Sequence, residues 1–212
     1  MVNEPREREL KYRLRAEEDW RKLVEGNGLG HQRPTRFQEN DYFDTAELTM
    51  LRAGAMLRVR RDGGLWLAFK ESQPETRTHG FFDSCEHEVE IPERILDEAL
   101  RNPCSLLATG LAPAAEVLRR FGPLHLVHLG RLFNERRPVV GRYVVEIDRM
   151  TFPDGRESYE VEIETDDPHE ARAWIESHFR ARSIVADPWP RTKLESFLDA
   201  VGPTGANGTL YS

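Results

Sequence analysis

The sequence has 212 residues, of which 39% are hydrophobic and 32% are charged, and its formal net charge is −7. No apolar run approaches the roughly 20 residues of a membrane-spanning helix, and two cysteines are too few for a disulfide scaffold or a four-cysteine zinc site. The negative charge also disfavours a domain that binds nucleic-acid backbones. We therefore expect a cytoplasmic protein that acts without nucleic acid or membrane, with one domain over residues 1–201 and a flexible tail over residues 202–212.

Short segments of alternating polar and apolar residues recur along the chain, which is typical of half-buried strands. In chain order, the alternation predicts eight strands, over residues 6–15, 34–43, 55–61, 65–70, 86–91, 124–137, 142–149 and 158–165. Helix formers, prolines and glycines predict helices over residues 16–25, 93–101, 113–120, 168–182 and 191–201. Many antiparallel strands with a few helices predict an α+β domain whose sheet is strongly curved or closed.

The polar faces of these strands carry rows of like charge. Carboxylates at a spacing of two share one side of a strand, and they occur as Glu7 and Glu9; Glu86, Glu88 and Glu90; Glu146 and Asp148; and Glu160, Glu162 and Glu164. Cationic residues occur as Lys11, Arg58, Arg60, Lys70 and Arg136. A solvated sheet face explains any one of these strands, but carboxylate rows on four strands repel unless cations lie among them. The rows together suit a divalent metal held by carboxylates beside a polyanion held by Arg and Lys, such as a phosphate chain with bound magnesium.

Short motifs along the chain resemble, in order, those of one family. The first is Glu7-x-Glu9-x-Lys11, which resembles the ExExK signature of the CYTH family, the triphosphate tunnel metalloenzymes. The others are Tyr42-Phe43-Asp44-Thr45, Leu57-Arg58-Val59-Arg60, Lys70, the stretch 129–136, Glu146-Ile147-Asp148, the stretch 159–164 and Arg191-Thr192-Lys193. The stretches 129–136 and 159–164 are similar to those of plant-type inorganic triphosphatases.

The resemblance implies an eight-stranded antiparallel closed β-barrel, a tunnel with a charged interior, with helices packed outside. It implies metal ligands at Glu7, Glu9, Glu160 and Glu162, with Asp148 and Glu88 close by. It implies a triphosphate clamp made of Lys11, Arg58, Arg60, Lys70, Arg136 and Lys193. The expected metal is Mg²⁺ or Mn²⁺, and the residues expected to take part in catalysis are Glu7, Glu9, Lys11, Glu160 and Glu162.

The resemblance leaves the ligating pair of the last strand open. One extra residue lies between Gly155 and Tyr159 relative to the family pattern. Either Glu160 with Glu162 or Glu162 with Glu164 can therefore be the pair that binds metal.

The arginine of the clamp has two competitors nearby. Arg131 and Arg137 lie close to Arg136 in the sequence and carry the same charge. Strand parity places Arg136 on the opposite face from the other two, although a β-bulge could reverse that assignment.

The two charge rows and the resemblance together predict metal-assisted hydrolysis of a phosphoanhydride. The expected substrate is inorganic tripolyphosphate or a small organic triphosphate such as thiamine triphosphate. Two alternatives stay open: a class IV-type adenylyl cyclase that makes cyclic AMP from ATP, and a non-catalytic module that binds polyphosphate. The chain is expected to act as a monomer or a homodimer.

Overall fold

The computed structural model describes residues 6–26, 28–72, 77 and 79–202. The strands are β1 Arg6–Leu14, β2 Gly30–Gln32, β3 Arg36–Asp44, β4 Ala55–Arg61, β5 Leu65–Ser72, β6 Phe81–Glu90, β7 Val127–Gly141, β8 Val144–Thr151, β9 Glu157–Glu164 and β10 Ala186–Pro188. The helices are α1 Glu17–Glu25, α2 Thr49–Arg52, α3 Glu93–Arg101, a 3-10 helix Pro103–Ala108, α4 Ala112–Phe121, α5 Pro168–Ala181 and α6 Lys193–Val201. The eight long strands correspond to the eight that the alternation predicts, whereas β2, β10 and α2 are short additions.

The eight long strands form one closed antiparallel barrel. They pair in the order β1, β6, β5, β4, β3, β7, β8 and β9, and β9 pairs again with β1. Closure satisfies the backbone groups that would otherwise form a free sheet edge. The short strands β2 and β10 pair with the ends of β7 and β1.

Most of the hydrophobic core lies outside the barrel wall, beneath the helices. One cluster joins β1, β8 and β9 to α1 and α5, and it includes Leu10, Tyr12 and Leu14. A second joins β4 and β5 to α3, α4 and the 3-10 helix. A third joins β3, β7 and β8 to α6 and lies on the inner face, because its Tyr42 lines the cavity inside the barrel and its Leu132 and Met150 share strand parity with Arg136 and Glu146. Because side chains alternate along a strand, apolar residues that face the helices leave the residues between them facing the barrel interior. The predicted α+β fold, a closed eight-stranded barrel with helices outside, is confirmed.

Helix α6 begins at Lys193, two residues later than predicted. Thr192 caps it: the Thr192 side chain accepts a hydrogen bond from the amide of Glu195, and the Glu195 carboxylate accepts one from the amide of Thr192. This reciprocal capping box defines the helix start. Leu194 and Phe197 are buried against the barrel, so α6 is anchored just beyond its first residue.

The predicted domain limits concern both ends of the chain. Strand β1 begins at Arg6 and α6 ends at Val201, and residues 203–212 of the predicted tail lie outside the described residues. The division into one domain and a tail stays a prediction. None of the helices in the described ranges combines the length and the apolar character that crossing a bilayer requires.

Candidate active site

The barrel interior contains a cavity of about 240 Å³ that residues of all eight long strands line. Its cationic side chains are Lys11, Arg36, Arg58, Arg60, Lys70, Arg77, Arg136 and Lys193. Its carboxylates are Glu7, Glu9, Glu86, Glu88, Glu146, Glu162 and Glu164. The six residues predicted to form the clamp therefore meet in one place, together with four of the six predicted metal ligands.

Two lysines converge on Glu162 inside the barrel. Lys11 Nζ lies 2.8 Å from Glu162 Oε1, and Lys193 Nζ contacts the same oxygen. The register explains this meeting, because Lys11 on β1 lies directly opposite Glu162 on β9. Burial opposes ionisation of Glu162, but Lys11, Lys193 and Arg136 hold its pKa well below the ordinary value. Glu162 is therefore a carboxylate held ionised by three cations.

Glu160 is the deepest carboxylate of β9. Its side chain is fully buried, and neither carboxylate oxygen has a hydrogen-bond partner among the described residues. The ammonium groups of Lys11 and Lys193 both lie 3.7 Å from it, which is beyond hydrogen-bonding distance. Burial raises the pKa of Glu160. Glu160 therefore interacts with Lys11 and Lys193 through charge alone, and its hydrogen-bonding capacity is unused among the described residues.

Arg136 links three carboxylates on neighbouring strands. It donates two hydrogen bonds to Asp148, at 2.9 and 2.8 Å, and one of 2.6 Å to Glu162, and it also pairs with Glu146. Asp148 lies opposite Arg136 in the register of β7 and β8. Although burial favours its neutral form, Arg136 and Lys193 lower the pKa of Asp148. Asp148 does not line the cavity itself, and it holds the cations that do.

The other two arginines of β7 lie on the outer face of the barrel. Arg131 pairs with Asp41 and Glu39, and Arg137 pairs with Glu135. The register of β3 and β7 does shift, but it shifts between the pairs Tyr42–Gly130 and Phe43–His128, which is upstream of all three arginines. Their relative parity is therefore the one that the sequence predicts, and only Arg136 lines the cavity.

The opposite wall holds the remaining predicted clamp residues. Arg58 pairs with Glu86 at 3.0 Å, and Arg60 pairs with Glu88 at 2.7 Å. Lys70 Nζ lies 2.5 Å from Glu7 Oε2 and 3.8 Å from Glu9 Oε1. Each cation on this wall therefore has a carboxylate partner in the absence of substrate.

The pKa values on this wall reflect that pairing. Burial opposes ionisation of Glu86, but Arg58 and Lys70 lower its pKa to about 2. Burial raises the pKa of Glu9, despite the opposing effect of Lys70, and Glu162 raises it further. Burial therefore favours the protonated form of Glu9.

The two candidates for the companion of Glu162 in the metal-binding pair of β9, Glu160 and Glu164, lie at different depths in the barrel. Glu164 lies opposite Glu9 in the register, is exposed, and lines the mouth of the cavity. Burial and the neighbouring carboxylates of Glu7 and Glu9 raise its pKa. Glu160 lies at the buried end of the same row. Glu162 is common to both predicted pairs, and the choice of its companion stays a prediction.

Sequence reasoning missed several polar residues of the interior. Glu86 and Glu146 belong to rows that were recognised but were not assigned to the site, although both line the cavity. Asn134 was missed because it is uncharged; it donates hydrogen bonds to Gln38 and Asp148, at 2.9 and 3.0 Å. Strand parity could have identified these residues. Arg77, which follows β5, carries no strand pattern that could have done so.

The carboxylates fit a hard divalent cation in donor type, because Mg²⁺ and Mn²⁺ prefer oxygen ligands. In the arrangement that the structure describes, no three His, Cys, Asp or Glu side chains of residues 6–26, 28–72, 77 and 79–202 converge to hold a metal ion. The cavity carboxylates Glu7 and Glu162 pair with lysines instead. The carboxylate oxygens of Glu160, which accept no hydrogen bond from the described residues, are the feature that fits a metal.

Comparison with known families agrees with this geometry. The model of the CYTH domain matches residues 5–186. The chain belongs to the CYTH family. No curated protein matches it in sequence.

Solved structures share the CYTH fold at low sequence identity. HpAC1 from Hippeastrum, described as an adenylyl cyclase with a dominant triphosphatase activity, is 24% identical with a TM-score of 0.79, over 90% of this chain and 94% of its own. A protein from Bacillus halodurans, described as an adenylate cyclase, is 20% identical with a TM-score of 0.69, over 91% and 98%. PH1819 from Pyrococcus horikoshii is 17% identical with a TM-score of 0.58, over 91% and 99%.

Proposed function

We propose that this CYTH protein is a metal-dependent hydrolase that cleaves a phosphoanhydride bond of tripolyphosphate, or of a small organic triphosphate such as thiamine triphosphate. The observation that carries the proposal is a pair of buried cationic donors. The Nε atoms of Arg58 and Arg60 are buried and find no hydrogen-bond acceptor among the described residues. A buried donor without an acceptor costs free energy. Phosphate oxygens in the cavity would supply the missing acceptors.

The charge on Arg60 supports an anion at the same place. Burial lowers the pKa of Arg60, and the neighbouring Arg58 lowers it further. Two buried guanidinium groups on one strand repel each other, and Glu86 and Glu88 offset only part of the effect of burial and repulsion on Arg60. An anionic ligand that contacts both removes that repulsion and uses the planar, multi-donor geometry of arginine.

Cations on both walls of the cavity can contact one phosphate chain. Arg58, Arg60 and Lys70 lie on β4 and β5, whereas Lys11, Arg136 and Lys193 come from β1, β7 and the start of α6. When a linear polyanion lies between the walls, these cationic side chains would exchange their carboxylate partners for phosphate oxygens. Interactions of this kind also stabilise the negative charge that develops on phosphoryl oxygens during transfer.

The balance of charge indicates that metal accompanies the substrate. The cavity is lined by eight cationic and seven carboxylate side chains, so it has little net positive charge to offset a polyphosphate. Glu7, Glu9 and Glu162, with Glu160 as a further ligand, are the residues that would hold Mg²⁺ or Mn²⁺, and the ion would supply neutralisation of phosphate oxygens and activation of water.

The reaction needs no covalent intermediate with the protein. The oxygen of water attacks a terminal phosphorus, the bridging phosphorus–oxygen bond breaks, and tripolyphosphate yields orthophosphate and pyrophosphate. In this proposal, Arg58, Arg60 and Lys70 hold one end of the phosphate chain. Lys11 and Lys193 hold the other end, and Asp148 keeps Lys193 in place. Holding the chain in one orientation lowers the entropic barrier to attack.

The size of the cavity favours a compact substrate. About 240 Å³ lies below the range of roughly 300–1,000 Å³ that is usual for pockets enclosing a drug-sized ligand. A phosphate chain is compact, whereas a nucleoside attached to it would extend towards the cavity mouth. This favours inorganic tripolyphosphate as the substrate, with any organic group outside the cavity.

The proposal is tested by incubating the purified protein with tripolyphosphate, thiamine triphosphate or ATP, each with Mg²⁺, Mn²⁺ or EDTA. Orthophosphate and cyclic AMP are then measured. We expect orthophosphate from tripolyphosphate with either metal and none with EDTA. Absence of orthophosphate from every substrate, with tripolyphosphate still bound, would instead support a non-catalytic binding module.

A matched pair of variants locates the activity in the cavity. Arg60 faces the cavity, while Arg61 is the next residue, lies on the outer face and pairs with Glu93. We expect Arg60→Met to lower kcat/KM for tripolyphosphate by about 10- to 100-fold, since a hydrogen bond to a charged group is worth about 1.5–3 kcal/mol. Arg61→Met should change it by less than about twofold. Equal effects would place the reaction outside the cavity.

Adenylyl cyclase activity is the second candidate. HpAC1 and the Bacillus halodurans protein are both described as adenylyl cyclases, and HpAC1 also as a triphosphatase. A cyclase needs the same clamp and differs in the orientation of the substrate. Cyclic AMP as the main product from ATP, without release of orthophosphate, would replace the hydrolase proposal by this one.

A further inference from the structure

Arg77 is a buried arginine at the cavity that belongs to none of the sequence motifs. It is 7% exposed and lies after β5. Its guanidinium group makes five hydrogen bonds, all with protein acceptors: the Ser72 hydroxyl, the Gly54 carbonyl and both carboxylate oxygens of Glu195. Its charge also lies 5.6 Å from the ring centre of Phe82. Arg77 therefore joins the end of β5, the turn before β4 and helix α6.

The donor pattern distinguishes Arg77 from the clamp arginines. Arg58 and Arg60 each keep a buried Nε without an acceptor among the described residues. A guanidinium group has five N–H donors, and the five hydrogen bonds of Arg77 direct its donors at the protein. Although Arg77 lines the cavity, its geometry suits holding protein segments together and leaves little donor capacity for a ligand.

The contact with Glu195 reaches the start of α6. Glu195 accepts hydrogen bonds of 3.2 Å from Arg77, and it also accepts 2.6 and 2.9 Å bonds from the amide and hydroxyl of Thr192. Glu195 is thus shared between Arg77 and the capping box that begins the helix. Lys193 directly follows Thr192 and is the first residue of the helix. Its Nζ reaches the cavity and lies 2.9 Å from Asp148 Oδ2.

We propose that Arg77 is a positioning residue that fixes Glu195, and through the capping box fixes the first turn of α6, so that Lys193 reaches the cavity. The part of this proposal that concerns substrate rests on the proposed function, in which Lys193 contacts the phosphate chain. The ammonium group of a lysine lies at the end of a four-carbon stem. The position of the Lys193 backbone therefore sets how far into the cavity that group can reach. Leu194 and Phe197 anchor the remainder of α6, so loss of Arg77 loosens the first turn and leaves the helix in place.

The first test measures the free protein. Hydrogen–deuterium exchange is followed in the peptides that cover residues 192–197 and in those of β9, for the wild-type chain, Arg77→Ala, Arg77→Lys and Arg120→Ala. Arg120 is the matched control, because it forms an ion pair with Glu71 at the surface, away from α6. We expect Arg77→Ala to raise exchange at 192–197 by about tenfold and to leave β9 unchanged. Arg77→Lys should give an intermediate rate, and Arg120→Ala the wild-type rate.

The second test measures coupling. Binding of tripolyphosphate in EDTA, where turnover is stopped, is measured by calorimetry for the wild-type chain, Arg77→Ala, Lys193→Ala and the double variant. If Arg77 acts through Lys193, Arg77→Ala weakens binding by about tenfold when Lys193 is present and by less than about twofold when it is absent. Glu195→Gln should follow Arg77→Ala in both tests, and it replaces that variant if Arg77→Ala does not fold.

The outcomes separate this proposal from the proposed function. Unchanged exchange at 192–197 in Arg77→Ala would overturn the positioning role. Equal weakening of binding with and without Lys193 would also overturn it, because Arg77 would then act on substrate by itself. If the wild-type chain binds tripolyphosphate neither in EDTA nor with Mg²⁺, the proposed function fails, and the exchange experiment still decides whether Arg77 holds the start of α6.

Discussion

Replacement of Arg136 by methionine tests the arrangement of charge inside the barrel. Arg136 donates three hydrogen bonds to two carboxylates, Asp148 and Glu162, that are 0% and 6% exposed. Arg136→Met keeps much of the side-chain volume and removes the charge. The substitution leaves the Asp148 carboxylate fully buried with fewer cationic partners. A buried charge that loses its partner lowers the free energy of unfolding more than loss of the whole pair does.

The size of the effect follows from the partners that remain. Removing one partner of a buried ion pair costs about 3–5 kcal/mol. Lys193 Nζ still lies 2.9 Å from Asp148, and Asn134 still donates to the same carboxylate. We therefore expect the lower end of the range, about 3 kcal/mol of unfolding free energy. For a chain of this size, this lowers Tm by about 6–12 °C.

Arg137→Met is the matched control. Arg137 is the next residue of β7, faces outward and pairs with Glu135, and its side chain is 37% exposed. A partly exposed pair of this kind is worth about 0–1 kcal/mol. Urea unfolding and calorimetric binding of tripolyphosphate should therefore both change strongly in Arg136→Met and little in Arg137→Met. Equal losses of stability in the two variants would refute the placement of Arg136 inside the barrel.

Three further predictions concern single side chains. Glu9→Gln should lower metal-dependent release of orthophosphate by about 100-fold or more while a thermal melt shows the fold intact, because burial already raises the pKa of Glu9. Arg58→Ala should raise KM for tripolyphosphate by about 10- to 100-fold and change kcat less; unchanged KM would remove Arg58 from the clamp. Burial opposes ionisation of Asp41, but hydrogen bonds from His128 and Arg131 hold its pKa below the ordinary value, so this carboxylate stabilises the fold at neutral pH and loses that effect as pH falls through its folded pKa. Asp41→Asn should therefore cost about 1–3 kcal/mol at pH 7, and urea unfolding should show the difference from wild type shrinking below about pH 4; a difference independent of pH would contradict it.

The barrel could be predicted from the sequence because its two faces differ so sharply. Along β1, Glu7, Glu9 and Lys11 face the cavity, while Leu10 and Tyr12 pack beneath helices. The same alternation is repeated on β4, β5, β8 and β9, so the local pattern and the closed topology agree there. On β3 and β7 the outer face also carries charged residues, such as Asp41 and Arg131. Strands β2 and β10 have three residues each, which is too short for any periodicity to appear.

The site was predicted only as far as charge reveals it. Parity separated Arg136 from its neighbours, and the register shift of β7 lies upstream, where it does not disturb this assignment. Gln38 and Asn134 form part of the same interior network, but uncharged amides do not stand out as a row. Glu88 was predicted as a metal ligand and Glu86 was not assigned a role; both line the cavity, and Glu86 lies close to Arg58 and Lys70. The choice between the two depends on the register of β5 and β6, which the sequence does not give.

The start of α6 shows a different limit. Thr192 and Glu195 have the spacing of a capping box, so the sequence alone could have placed the helix start at Lys193. The contact of Arg77 with Glu195 joins residues 118 positions apart. No local pattern encodes such a contact, because it depends on how the barrel closes.

The barrel separates stability from chemistry by placing them on opposite faces of one wall. Most apolar burial lies outside, as in Leu57, Val59 and Leu67, which are fully buried beneath α3 and α4. The inner face buries charges, and such pairs contribute little net stability because desolvation offsets their attraction. In the proposed function, an inner residue such as Lys70, whose partners Glu7 and Glu9 are carboxylates of the cavity, exchanges those partners for a polyanion without disturbing the apolar contacts that hold the strands. Because the outer clusters maintain the fold, the inner charges are free to be arranged for binding.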